Sequence, residues 1–476
     1  TMANIPNPRR IPWNDPYRDV IDQEAIWITL NSTIQIMGLI DTGMDVDNSV
    51  DCLQTAVDVV LSRYPVLSLE VVPNDIGTYS YRPRKEPLKL DLVHDYYTSP
   101  PVSTMSEYDS VLAYPVPGYQ APKDGVSRLF HVKLVRFEVP DDPDPDFLTA
   151  IDGHTHALVV SLHHILGDGN STVMLLKMLA ELWISEGLDA CRKPRQAGTV
   201  WSNMYCPGGV PTITLPTEGS LAATLSGTKL DSNPIEERTP SCVTAAVPVS
   251  HLSQARVYDY PLTDTLGGVL LAVTGAQILN ERKRDGDETT DMTLRMWLPS
   301  DVQPILRAQR PDLPDIGGLV SNAASGGRGQ IHATPTTTVE AVCQAVNAGR
   351  EREKATSTPT FWAVTKALLS KGVQTSVSPD INSQTCVFSN LGRVDLPYPL
   401  AEITGCVFSR GVGKYVVGAM NTRGSSTVSL TFSYSQPFFS RDMAIAHRDA
   451  FLKTLPWVRD NPKATLQDLA LFLETL

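Results

Sequence analysis

Little in this chain of 476 residues points to nucleic acid, because 40 Lys and Arg stand against 52 Asp and Glu, a net charge of -12, and phosphate recognition needs a basic face. Cysteine is sparse and unpatterned. The seven (Cys52, Cys191, Cys206, Cys242, Cys343, Cys386 and Cys406) are odd in number and include no C-x-x-C pair, which excludes a disulfide framework and fits reduced thiols in a cytosol. No run reaches the ~18–20 consecutive apolar residues of a membrane span. The N-terminal segment carries prolines and charges where a signal peptide would carry an apolar core, so a cytoplasmic protein is expected. A G-x-S-x-G elbow is missing, which removes the serine-nucleophile hydrolase, and so is the H-E-x-x-H spacing of a metal site.

What is present suits two α/β lobes, since the chain is too long for one compact core. Hydrophobic content of 42% and charged content of 19% are those of an ordinary globular protein. Residues 26–40 alternate as a strand. The segment from Asp45 reads as a helix with Leu53, Val57, Val60 and Leu61 on one face, ended by Pro65, then a strand. Residues 128–139 and 156–162 are β-rich, and 171–187 is an apolar helix. Residues 188–241 are rich in Gly, Pro, Ser and Thr and lose periodicity, as a connection would. The division expected is therefore a first lobe over 1–187, a connection over 188–241 and a second lobe over 242–476. The second lobe should hold a strong helix at 262–284, capped by Thr263 or Asp264. Its strands are expected at 242–249, 292–302, 385–392, 402–411, 414–422 and 427–435, with a short terminal helix.

The segment that carries chemistry is HTHALVVSLHHILGDGNSTVMLLKML (154–179), where four of the nine histidines fall within eleven positions. An apolar strand runs into His163-His164, then a turn with Asp168 and Gly169, then a helix. Adjacent residues on a strand face opposite sides, so one histidine faces the lobe interior and the other a cleft. A neutral imidazole in a cleft is suited to taking a proton from an alcohol or amine. Asp168 is placed to orient the local backbone or to neutralise a buried cation, and Gly169 to let the helix start be approached closely.

The run HHILGDG resembles the motif of the HHxxxDG acyltransferase superfamily, which includes chloramphenicol acetyltransferase, the condensation domains of nonribosomal peptide synthetases, plant BAHD and alcohol O-acetyltransferases, and Pap-type acyltransferases. Other segments resemble the family in its order: SRYPVLSLEV after the first helix, RLFHVKLV, TDTLGGVLLAVTGAQIL, DIGGLVSNAAS (315–325), CVFSNLGRVDLP (386–397) and DNPKATLQDLALF. The resemblance implies an α/β (α+β) fold of two chloramphenicol-acetyltransferase-like lobes. Each would be a mixed sheet flanked by helices, with a tunnel at their interface. It implies that His164 is the general base, supported by His163, Asp168 and Gly169. Asp168 would form a structural ion pair, with Arg295 as the partner, although the chain reads DVQP, with Gln303, where many relatives carry an arginine. Ser389 and Asn390 would line the tunnel or satisfy backbone at a strand end.

The activity so implied is transfer of an acyl group from an acyl-CoA or acyl-carrier thioester to a hydroxyl of a small-molecule acceptor by a monomer, without metal or tightly bound cofactor. Alternatives on the same fold are condensation-like amide formation, a cyclase or isomerase, and a non-catalytic carrier-docking module. The histidines also admit blander readings, as hydrogen-bonded strand-end residues or as a metal set. GVGKYVVG (411–418) reads as a β-turn and GGRGQ (326–330) as a loop. The clusters Arg282, Lys283, Arg284 and Arg350, Arg352, Lys354 read as solvated helix faces or as contacts to a CoA phosphate or an acidic carrier.

Overall fold

A computed structural model describes residues 32–73, 79–84, 88, 90–113, 128–185, 239–287, 290–301, 324–355, 386–408, 415–436 and 440–476. In chain order these form β1 (Thr33–Ile40), α1 (Val50–Arg63), β2 (Leu69–Pro73), β3 (Tyr79–Pro83), α2 (Leu92–Thr98), α3 (Met105–Ala113), β4 (Phe130–Arg136), α4 (Pro145–Ile151), β5 (His156–His163) and α5 (Gly169–Trp183). Then follow β6 (Thr239–Pro248), α6 (Leu262–Asp285), β7 (Met292–Asp301), β8 (Ala324–Ala333), α7 (Val339–Ala355), β9 (Cys386–Val394), β10 (Leu400–Phe408), β11 (Tyr415–Thr422), β12 (Thr427–Gln436), α8 (Arg441–Asp460) and α9 (Leu466–Leu473). Most of the connection expected over 188–241, and the segment 315–325 up to Asn322 and Ala323, lie outside the described residues.

The first sheet has the order β10-β1-β5-β4 and is antiparallel at each described pairing. One face packs on α1 and α5. Leu53, Val57 and Val60 of α1 are fully buried, Leu61 packs beside them, and Leu175, Leu176 and Leu179 of α5 meet them. Each such side chain contributes roughly 1.5–3 kcal/mol by burial. Trp183 Nε1 donates to Ser49 O (2.8 Å), tying the end of α5 to the start of α1. The second sheet is mixed, in the order β6-β12-β11-β9-β7-β8, with β9 parallel to both β11 and β7.

The sheets do not divide where the sequence division falls. β10, from the half expected to build the second lobe, pairs with β1 over Thr33–Ile40. The chain thus leaves the second sheet after β9, lends one strand to the first, and returns as β11. Val387, Val394, Val416 and Met420 are accordingly buried in the core of the first lobe.

α6 is long and apolar enough to cross a membrane by length and composition, but here it is the buried centre of the second lobe. Its start corrects an expectation. Neither Thr263 nor Asp264 caps it: the helix begins at Leu262 with Pro261 as its N-cap, and Pro261 O accepts from Asp264 N and Thr265 N. Asp264 is fully buried and pairs with Arg350 of α7 at 2.9 Å, so Arg350 is a structural cation and not a solvated one. Lys283 pairs with Glu474 and Lys354 with Glu351. GGRGQ is also corrected, since it lies within β8, paired with β7. A Cβ at Gly327 would stand 2.6 Å from Arg350 Cα, so the glycine is there for close helix-on-sheet contact rather than for a turn. Residues 415–418 of the expected β-turn belong to β11, between β9 and β12.

Candidate active site

The end of β5 sets the two histidines apart. His163 N donates to Leu129 O beside β4, and His164 N donates to Ser32 O beside β1, both at 2.8 Å. Successive N–H groups pointing to opposite neighbours carry their side chains to opposite faces. His163 is turned inward, where Nδ1 accepts from Ile165 N (3.2 Å) and Nε2 is buried with no hydrogen-bond partner among the described residues. Burial, with the adjacent His164, pulls its pKa down to about 3. His164 is 6% exposed. Burial lowers its pKa to about 4, against an upward pull from hydrogen bonds to backbone at His164 itself and at Gly167. The ring is therefore neutral at pH 7. A neutral imidazole carries one N–H and one lone-pair nitrogen, the form that a base needs.

Asp168, 4% exposed, caps α5. Its Oδ1 accepts from Ser171 N (3.0 Å) and Ser171 Oγ (3.2 Å). This is the backbone-orienting role read from the sequence. Arg295, on β7, donates from Nε to Gln330 Oε1 (3.1 Å), its cross-strand partner. The hydrogen bonds described for Asp168 and Arg295 thus run to Ser171 and Gln330. Asp168→Ala should destabilise the fold by ~0.5–2 kcal/mol, the usual cost of a lost cap. Urea unfolding measures the loss.

Gly169 opens the helix. A Cβ there would stand 2.7 Å from Leu391 Cδ2 of β9, so its bareness lets the second lobe approach the turn. Where β9 meets the turn lies a cavity of roughly 200 Å³. Ser32, His164, Asp168, Gly169 and Asn170 line it from the first lobe. Trp297, Pro299, Ser300 and Asp301 of β7 and Ser389, Asn390 and Leu391 of β9 line it from the second. Ser389 and Asn390 stand where the tunnel lining was expected, but in different states. Asn390 Nδ2 donates to Thr263 Oγ1 (2.9 Å) and Asn390 Oδ1 accepts from Gly392 N (2.8 Å), so its amide holds β9 to α6. The Ser389 hydroxyl, among the described residues, has no protein partner. Trp297 and Asp301 escaped the sequence reading. Trp297 and Asp301 lie two and six residues from Arg295 along β7, and that even spacing was the signal that could have found them.

His154 and His156 lie at the far end of β5. His154 Nδ1 donates to Ile40 O (2.8 Å) and His156 Nε2 meets Tyr96 OH (3.0 Å), so both have local structural partners. Among the described residues no group of three or more His, Cys, Asp or Glu is placed to hold a metal.

Two lobes closing over a strand-end histidine form the chloramphenicol-acetyltransferase-like fold shared by condensation domains and acetyltransferases, and the chain has that fold. The starter condensation domain of rhizomide synthetase RzmA, in complex with C8-CoA, is similar with a TM-score of 0.56 at 13% identity, over 94% of this chain and 96% of that one. The trichothecene 15-O-acetyltransferase TRI3 of Fusarium sporotrichioides has a TM-score of 0.56 at 12% identity, over 92% and 95%. F. sporotrichioides TRI101, complexed with coenzyme A and T-2, has 0.55 at 13%, over 90% and 96%. No family model matches the sequence, and no curated protein matches it.

Proposed function

We propose that the protein transfers an acyl group from a CoA or carrier-protein thioester to a hydroxyl of a small-molecule acceptor, with His164 as general base. The observation that carries this reading is a neutral, backbone-tethered His164 in the wall of a cavity whose opposite wall belongs to the second lobe. His164 takes the proton as the acceptor oxygen attacks the thioester carbonyl. The tetrahedral intermediate then expels the thiolate, and His164 returns the proton to sulfur, so a C–O bond replaces a C–S bond. Ser389, on the same cavity and with no hydroxyl partner among the described residues, is the donor assigned to the developing oxyanion. The complexes of RzmA with C8-CoA and of TRI101 with coenzyme A support a thioester donor, and TRI3 supports a hydroxyl acceptor.

No acyl-enzyme is required. Of the described cysteines, four are buried, and burial pushes the Cys343 thiol far up, away from the thiolate. Release of free CoA from acetyl-CoA, with panels of alcohols and amines as acceptors, is the assay. Both substrates should be needed together, double-reciprocal lines should intersect, and donor alone should leave the intact mass of the protein unchanged. Parallel lines with a stoichiometric adduct would overturn the mechanism. Turnover of amines but not alcohols would replace ester by amide formation.

The pH profile has a fixed sign. The base works when neutral, so kcat/KM should be full above the His164 pKa and fall as pH drops through it, centring the acid limb near 4 rather than 6.5. The fold loses stability over the same range. His131, His163 and His164, held near 4, 3 and 4, contribute stability present above pH 6.5 that is lost as pH falls toward those values. Rates should therefore be read within seconds of a pH jump, with circular dichroism as the control.

A further inference from the structure

We propose that the acyl group this protein accepts is short and unbranched, of up to about six carbons, and that Trp297, Val387 and Val416 form the wall that sets the limit. The proposal rests on the acyl-transfer reading of the site. The three residues come from neighbouring strands in one register. Val387 of β9 is paired with Trp297 of β7 on one side and with Val416 of β11 on the other, so their side chains form a row across the second sheet. Alternation along the strands divides that sheet between two cores. Met296, Cys386, Tyr415 and Val417 face the core of the second lobe, whereas Trp297, Val387 and Val416 face the core of the first. All three line the cavity beside His164, and Val407 of β10 lines it with them.

Ser389 lies two residues beyond Val387 and shares its face, ~7 Å further along the strand. With the reacting carbonyl held at Ser389 and His164, an acyl chain has two ways to run. Toward Asn170, Ser300, Asp301 and Asn390 it meets polar residues, three of them exposed. Toward the row of Trp297, Val387 and Val416 it meets hydrocarbon, with Val387 2% and Val416 4% exposed. Running the polar way forgoes the ~4-fold in affinity that burial of each methylene supplies, so the chain takes the apolar end.

That end is shallow. The whole cavity is roughly 200 Å³, little more than the ~150 Å³ that encloses one benzene ring, and it also has to admit the hydroxyl of the acceptor. A wall ~7 Å from the carbonyl position stops a straight chain after a few carbons. Each further methylene then has to displace packed side chains, which costs more than its burial returns.

Calorimetric titration of the full chain with S-acyl-N-acetylcysteamine thioesters, from acetyl to dodecanoyl, tests the limit, because their thiol end is common to CoA and carrier-bound donors. Affinity should climb ~4-fold for each added methylene up to about hexanoyl, then stop rising or fall. Trp297→Leu lowers the wall and should move that break at least two carbons longer. Val407→Leu adds a carbon at the same end and should move the break shorter, which keeps the test open if the first variant folds poorly; circular dichroism checks the fold of both. Affinity that rises without a break through dodecanoyl, a break unmoved in a folded variant, or no binding at any length overturns the pocket. The functional reading fails separately. A break that moves as expected, in a protein that transfers from no acyl-CoA to any alcohol or amine, leaves the pocket and removes the reaction. Equal transfer from acyl-CoAs of every length removes the limit and leaves the reaction.

Discussion

Replacing His164 with alanine lowers turnover by at least ~100-fold, since a positioned general base supplies ~10²–10⁴-fold. The loss should appear in kcat with either acceptor class, because in the proposed reaction the ring acts on the proton rather than on a recognition group. His164→Gln separates chemistry from structure. Its amide can still donate to the Gly167 carbonyl that tethers the histidine, but it cannot accept and return a proton at pH 7. Glutamine should therefore keep the thermal midpoint near that of the parent while losing as much turnover as alanine. A glutamine variant retaining more than about a hundredth of parental kcat would remove His164 from the base role, against the smallest factor that general base catalysis supplies.

Arg350→Met destabilises the second lobe by ~3–5 kcal/mol, the cost of leaving a buried charge without its partner. Asp264 is fully buried at the start of α6, and among the described residues neither of its oxygens has a well-directed hydrogen bond, so the guanidinium 2.9 Å away is its main compensation. Burial raises the Asp264 carboxyl pKa, against the pull of Arg350 and Lys354. Removing Arg350 should raise it further. The Asp264→Asn/Arg350→Met double variant should recover much of the loss, since the charge that needed pairing is gone. Urea unfolding of the two single variants and the double measures this. A loss below about 1 kcal/mol in Arg350→Met, the value of an exposed pair, would return Arg350 to the solvated face expected from its sequence.

The elements legible in the sequence were those whose period is their own. Residues 156–163 alternate into an apolar strand, and 50–63 put Leu53, Val57 and Val60 on one stripe, and both lie where that pattern predicts. Three others left no such mark. β8 contains GGRG, which reads as a loop, and is a strand because β7 pairs with it and α7 lies close upon its glycines. α7 buries Val339, Val342, Cys343 and Val346 but ends in a charged run, so its average is polar. α8 carries Pro456 in its interior, a residue that argues against a helix, and is held by the burial of Phe451, Leu455 and Val458. The cap expected at Thr263 or Asp264 failed for a nonlocal reason. Both side chains were claimed by partners far along the chain, Asn390 and Arg350.

By itself, the sequence determined a strand running into two histidines, a tight turn with Asp168 and Gly169, and a helix after it. These are short-range matters of side-chain period, turn chemistry and capping, settled within about fifteen residues. The tertiary structure alone decided what faces that unit. β10 crosses into the first sheet, and β9 brings Ser389 and Leu391 to the turn, because an apolar face records that it must be covered but not by what. It also decided the ionisation of the histidines. Imidazoles with an ordinary pKa near 6.5 reach values near 3 and 4 only once β1, β4 and the second lobe have taken the water from around them.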